Sequence, residues 1–120
     1  MPGLTLQRIP FTVETDNRLR LLKARTGITP NILCRVGFCL SLEEPSLPTA
    51  INENTKPGRE MNRYTLLGKY DQIFVALLTT RLREDELPDE KIQEMFLAHI
   101  NRGVELLTAR VKSIGDLGAL

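Results

Sequence analysis

A chain of 120 residues with 42% apolar and 26% charged residues has globular composition and the size of one domain. No run approaches the roughly 20 apolar residues of a membrane span, and the N-terminus lacks a basic segment followed by an apolar core. A membrane or secreted protein is therefore not expected, and a cytoplasmic one is.

The net charge of +1 conceals a gradient along the chain. Within residues 1–42, Arg8, Arg18, Arg20, Lys23, Arg25 and Arg35 stand against only Glu14 and Asp16, an excess of +4, and the remainder sums to −3. A basic N-terminal third is what a phosphate-facing surface needs, although a solvated face has the same composition. So short a chain leaves roughly a third of its unfolded-state surface exposed after folding, which favours association with copies of itself or with partners.

Residues 4–13, LTLQRIPFTV, read as a short strand in which Ile9, Phe11 and Val13 alternate with Pro10 and Thr12. Pro10 has no amide donor, which restricts the strand to an edge. No comparable strand follows, so the same strand of a second copy is the simplest expected partner. Thr15, Asp16 and Asn17 supply caps for a helix running to about Thr26, with Gly27 placed to stop it. Arg18 and Arg25 form one basic edge of that helix; Arg20 and Lys23 form another.

Thr29 caps a second helix, with Pro30 in its first turn. From Ile32 to Leu42 this helix is apolar almost all round, Arg35 carrying its charge, so burial at the centre of an oligomer is expected. Cys34 and Cys39 lie about 140° apart on it and read as small buried hydrophobes, not as a disulfide or metal pair. Residues 43–62 hold Pro45, Pro48, Pro57 and Gly58 and read as a loop. A third, amphipathic helix follows through Tyr70, Ile73, Phe74, Leu77, Leu78 and Leu82, and a last one runs from near Pro88 to about Ser113. The expected organisation is one domain over 1–120: a core at 4–42, the loop 43–62, and C-terminal helices within 63–120.

Side-chain catalysis needs a nucleophile with its base, paired carboxylates or a metal cluster, and none has a signature here. His99, the sole histidine, sits in a helix expected to be packed and is read as hydrogen-bonded structure. The glycines are scattered, so no phosphate-cradling loop is present. Glu43 with Glu44, and the run Glu84, Asp85, Glu86, read as solvated surface. The expectation is a binding protein, without catalytic residue, metal or cofactor.

Strand, helix, glycine turn and helix within residues 5–42 is the element order of the ribbon-helix-helix fold, in which two chains pair strands over intertwined helices. The fold class expected is mainly α: a ribbon-helix-helix-like N-terminal core with two further helices, homo-oligomeric. In DNA-binding proteins of that fold the start of the second helix receives a phosphate on free amides, here at Thr29, Pro30 and Asn31. The groove-reading positions of the ribbon fall on Leu6, Arg8 and Pro10. Only Arg8 can hydrogen-bond a base edge, so backbone contact is expected in place of sequence readout.

Four strings carry a family resemblance: ETDNRLRLLKARTGITPNILCR at 14–35, CLSLEEP at 39–45, NRYTLLGKYD at 62–71 and AHINRGVELL at 98–107. Together they cover much of the chain, which resembles the DndE family of bacterial DNA phosphorothioation (DNA sulfur modification) proteins. The resemblance implies a ribbon-helix-helix-like core, self-association to a tetramer, and affinity for double-stranded DNA with nicked duplex favoured. It also implies association with the other modification proteins, to which sulfur mobilisation, iron-sulfur chemistry and ATP use belong. It supplies no catalytic motif to transfer.

The basic positions Arg18, Arg20, Lys23, Arg25 and Arg35 lie in the matched strings and are the expected DNA contacts, since each cation that neutralises a phosphate releases counterions. The alternative for Arg18, Arg25 and Arg35 is pairing with Glu14, Glu43 and Glu44. Two other functions stay open: a scaffold holding the sulfur-transfer and ATPase proteins through the acidic loop and the last helices, and a transcriptional autoregulator, which rests on fold analogy alone.

Overall fold

The computed structural model describes residues 3–52 and 55–120. Strand β1 (Arg8–Thr12) buries Ile9 and Phe11 and turns Arg8 and Pro10 outward, as the alternation predicts. Its partner comes from its own chain. Strand β2 (Pro57–Asn62), inside the segment read as a loop, pairs antiparallel with β1 in the register Arg8↔Asn62, Ile9↔Met61 and Pro10↔Glu60. The expected pairing with a second copy is thereby replaced, and the two-stranded ribbon is made within one chain. β2 escapes notice because PGREMN has neither alternation nor β-branched residues; β1 supplies its hydrogen bonds.

Helix α1 (Val13–Thr26) begins earlier than its caps predict. Thr12 is the N-cap, its hydroxyl accepting from the Thr15 amide at 3.1 Å, whereas Thr15 and Asp16 lie buried inside the helix. Gly27 ends it in the left-handed region at φ 76°, where a side chain would be strained. Helix α2 (Pro30–Glu43) follows with Thr29 at the N-cap and Pro30 at the first position, as expected. The Thr29 hydroxyl bonds the Asn31 side chain at 2.6 Å and caps no amide.

Helix α3 (Arg63–Leu67) leads through a 3-10 turn into α4 (Asp71–Glu84), and a second 3-10 turn at Asp89–Lys91 leads into α5 (Ile92–Arg110). A last 3-10 segment, Ile114–Ala119, lies beyond the expected end of the fourth helix. Among the described residues no helix is long and apolar enough to cross a membrane.

The core centres on α2. Phe38 is fully buried and meets Phe74 of α4 and Phe96 of α5, each with ring centroids 5.6 Å away. α5 crosses α2 where Gly37 faces Gly103. One chain therefore covers most of the helix expected to need an oligomer, leaving Ile32 and Cys39 exposed. Cys34 is a buried hydrophobe as expected, its thiol pushed up to about 12 by burial. Cys39 is not: it lies at the surface, and both cysteines are free thiols.

A polar knot ties α2, α4 and α5 together. The buried Ser41 hydroxyl lies 2.8 Å from His99 Nδ1 and accepts from Arg102 Nε at 2.8 Å. His99 is thus the hydrogen-bonded structural histidine the sequence leads one to expect. Burial first, then the nearby Arg102 and Arg81 guanidiniums, push its imidazole down to about 4 from an ordinary value of 6.5. Above pH 6.5 the ring is neutral in both folded and unfolded chains, so stability is at its full value. Below 6.5 only the unfolded chain takes up the proton, and stability falls until the folded-state value near 4 is reached, by up to about 3 kcal/mol. Urea midpoints should therefore drop between pH 7 and pH 4.5, and His99→Gln should flatten that drop. An equally steep drop in the variant would contradict the assignment.

Candidate nucleic-acid interface

α1 carries its basic residues on two opposite edges, and the fold treats them differently. On one edge stand Asp16, Arg20 and Lys23, spaced four and three residues apart and so stacked along one side. The Asp16 carboxylate, its side chain 10% exposed, lies 3.5 Å from Arg20 and 3.1 Å from Arg59 Nε of β2, and it accepts from the Arg59 amide at 3.3 Å. The Arg20 and Arg59 side chains remain 60% and 63% exposed. One buried carboxylate thus braces two guanidiniums and leaves much of each in solvent. Lys23 lies exposed one turn further on and makes no salt bridge among the described residues. The cluster carries a net positive charge, and the solvent-facing part of each braced guanidinium stays open to a phosphate.

Gly58 makes this approach possible. A Cβ there would sit 2.7 Å from the Thr12 carbonyl oxygen and 3.0 Å from the Asp16 Cβ, so only glycine lets β2 lie close enough to α1 for Arg59 to reach Asp16. The cluster also adjoins the start of α2: Pro30 shares with Asp16, Leu19 and Arg59 the walls of a cleft of about 160 Å³. Asn31 donates from its side chain to the Thr65 carbonyl at 3.1 Å, which fixes α3 beside that helix start.

The other edge is occupied by structure. Arg18 pairs with Glu14 at 3.8 Å, within the chain and one turn away. Arg25 donates to the Thr108 and Val111 carbonyls at 3.5 and 3.4 Å, serving the C-terminal end of α5. Between α1 and α5 on this side opens a cavity of about 300 Å³ whose wall holds Arg18 and Arg102 against Glu14 and Glu105. Balanced charge gives it no pull on phosphate.

Arg35 is likewise committed: Nε donates to the Leu66 carbonyl at 2.6 Å, and the guanidinium lies 5.8 Å from the Tyr70 ring centre. Arg8 stands on the outer face of the ribbon, 70% exposed and 3.8 Å from Glu60. The structure therefore gathers Arg20 and Lys23 and sets the α2 start of Thr29 and Asn31 nearby. It places Arg18, Arg25 and Arg35 in intramolecular contacts, and holds Arg8 apart on the ribbon. Arg59 was not among the expected contacts, because it joins Asp16 across 43 residues of sequence that no local pattern spans.

No group of three or more potential metal-ligating residues is present among the described residues. A sequence profile described as "DNA sulphur modification protein DndE" matches residues 8–114. No curated protein matches the chain. Among solved structures it is similar to DndE from Escherichia coli B7A, involved in DNA phosphorothioation modification, with 25% identity, a TM-score of 0.69, and coverage of 88% of this chain and 99% of that one. It also shares its fold with a DndE in which glycines are replaced by lysine, at 23% identity and a TM-score of 0.63, covering 91% of this chain and 99% of that one.

Proposed function

Because the chain belongs to the DndE family of DNA sulphur modification proteins, we propose that it serves the phosphorothioation machinery as a cytoplasmic, self-associating DNA-binding component that does no chemistry itself. The observation that carries this reading is the braced cluster of Arg20, Lys23 and Arg59 around Asp16. Two half-exposed guanidiniums held at fixed positions suit bidentate contact with phosphate oxygens, and the exposed Lys23 adds a point charge. The α2 start at Thr29 and Asn31, with its positive dipole end, lies beside them.

Nothing in the cluster reads a base. Of the groove-reading positions, Leu6 before β1 and Pro10 on it offer no side-chain hydrogen bond, which leaves Arg8 alone; the binding is therefore tolerant of sequence and directed to double-stranded or nicked DNA through the backbone. Sulfur transfer and ATP use fall to the other modification proteins, with which the chain associates.

Affinity for a duplex should fall steeply with salt. Three phosphate contacts give a slope of about −2.7 in log–log form, so affinity drops on the order of forty-fold between 50 and 200 mM salt. Titration of the purified protein against intact, nicked and single-stranded DNA of several sequences tests this. Salt-sensitive, sequence-tolerant binding is the expected result, and a well-folded protein that binds none of them at 50 mM salt would overturn the reading.

A further inference from the structure

The cleft beside the basic cluster is built of two unlike halves. It lies where α1, the start of α2 and the ribbon meet, and its volume of about 160 Å³ is that of about five water molecules. Phe11 of β1 and Leu19 of α1, both buried, form its apolar half with the half-buried Pro30 of α2 and Met61 of β2. Arg59 and the Asp16 that braces it form the polar half, and Glu60 at the same cleft is paired with Arg8 at 3.8 Å. Along α1, Asp16, Leu19 and Lys23 fall three and four residues apart, so the apolar wall sits between the carboxylate and an exposed cation. With Arg8, Arg20, Lys23 and Arg59 standing against Asp16 and Glu60, the surroundings are cationic and draw an anion in.

An ordinary phosphate diester suits only the polar half. Of its two non-bridging oxygens, one can accept from the Arg59 guanidinium, but the other, turned towards Phe11, Leu19 and Met61, loses its water and gains no donor. Sulfur in place of that second oxygen reverses the balance. It is larger and more polarizable, it is a weak hydrogen-bond acceptor with little hydration to lose, and it gains from contact with an aromatic ring such as Phe11. We propose that the cleft takes the sulfur of a phosphorothioate linkage, the remaining non-bridging oxygen resting on Arg59, so that the protein holds sulfur-modified duplex in preference to unmodified duplex. The assignment rests on the DNA contact proposed above and adds a chemical preference to it. Once the backbone lies on Arg20, Lys23 and Arg59 its two non-bridging positions are no longer equivalent, and only one configuration at phosphorus turns its sulfur into the cleft.

Titration of the full chain against three short duplexes of one sequence tests this: one unmodified, and two in which every linkage of one strand is a phosphorothioate of a single configuration. The wild type is expected to bind one configuration on the order of fivefold more tightly than the unmodified duplex, within the range that one sulfur–aromatic contact supplies. The other configuration should bind no more tightly than the unmodified duplex, which separates the cleft from a general adhesion of thiolated DNA. Met61→Gln, which sets an amide in the apolar wall, should bring the ratio of the two configurations close to one. Equal binding of all three duplexes, or an equal gain for both configurations, overturns the sulfur site and leaves the DNA contact standing. Full discrimination retained by a Met61→Gln protein with an unchanged circular dichroism spectrum overturns its placement in this cleft. A wild type that binds none of the duplexes overturns the DNA contact and this proposal with it.

Discussion

Replacing Gly103 with alanine is expected to cost about 3 kcal/mol or more, a large share of the roughly 5–15 kcal/mol by which small domains are stable. A Cβ on Gly103 falls well inside contact distance of the Gly37 carbonyl oxygen, and the obstacle is backbone, which cannot rotate away as a side chain can. The helices must separate, and α2 against α5 is the most extensive contact in the core, burying Phe38, Phe96 and Val104. Overpacking in a core costs about 1–3 kcal/mol where side chains give, and more where they cannot. Gly37→Ala should be milder, since its Cβ would sit 2.8 Å from the Gly103 carbonyl carbon. Urea denaturation of the three proteins is the check; a Gly103→Ala midpoint equal to the wild type's would show that the helices do not meet at these glycines.

Arg81→Ala carries a comparable expected cost, about 3–5 kcal/mol. The Arg81 side chain is 7% exposed; it pairs with Asp85 at 2.8 Å, the partner itself 14% exposed. It donates to the carbonyls of Leu42, Pro45 and Ser46 at 2.7, 3.3 and 2.9 Å. Truncation leaves a carboxylate without its counter-ion and the Leu42 and Pro45 carbonyls without the Arg81 donor, while Ser46 keeps Arg102, and unpaired buried groups are where such losses arise. The segment after α2 should loosen first, because Arg81 shares Ser46 with Arg102 alone among the described residues. Thermal unfolding together with hydrogen exchange of residues 42–47 would show this. A loss below 1 kcal/mol would mean that the knot contributes no more than a surface ion pair.

Much of the fold is legible in the residues, for local reasons. The Ile9 and Phe11 alternation, the Gly27 stop, the Thr29–Pro30 start and the apolar spacing of α4 and α5 each act within a few residues, where pattern and conformation are coupled. What escapes is non-local. β2 has no strand pattern of its own and exists because β1 needs hydrogen-bond partners. The apolar run of α2 is met by α4 and α5 of the same chain, which a sequence reading cannot tell from a second copy.

The candidate interface divides in the same way. Composition finds the basic first helix, but four residues of rotation decide which cations reach solvent, and the tertiary partners decide the rest: Arg25 meets α5 carbonyls and Arg35 meets Leu66. Arg59 enters only because Gly58 lets β2 approach Asp16.

On the function proposed above, the Arg20, Lys23 and Arg59 edge of α1 contacts DNA and the Arg18 and Arg25 edge does not. The most direct measurement is the salt dependence of duplex binding for the triple variant Arg20→Ala, Lys23→Ala, Arg59→Ala beside the double variant Arg18→Ala, Arg25→Ala, each with its fold verified. The triple variant is expected to lose affinity at least tenfold at low salt and to flatten the log–log slope by about 2.7, while the double variant keeps the wild-type slope. A flattened slope in the double variant with an unchanged one in the triple would contradict the account and move the DNA to the opposite edge of α1.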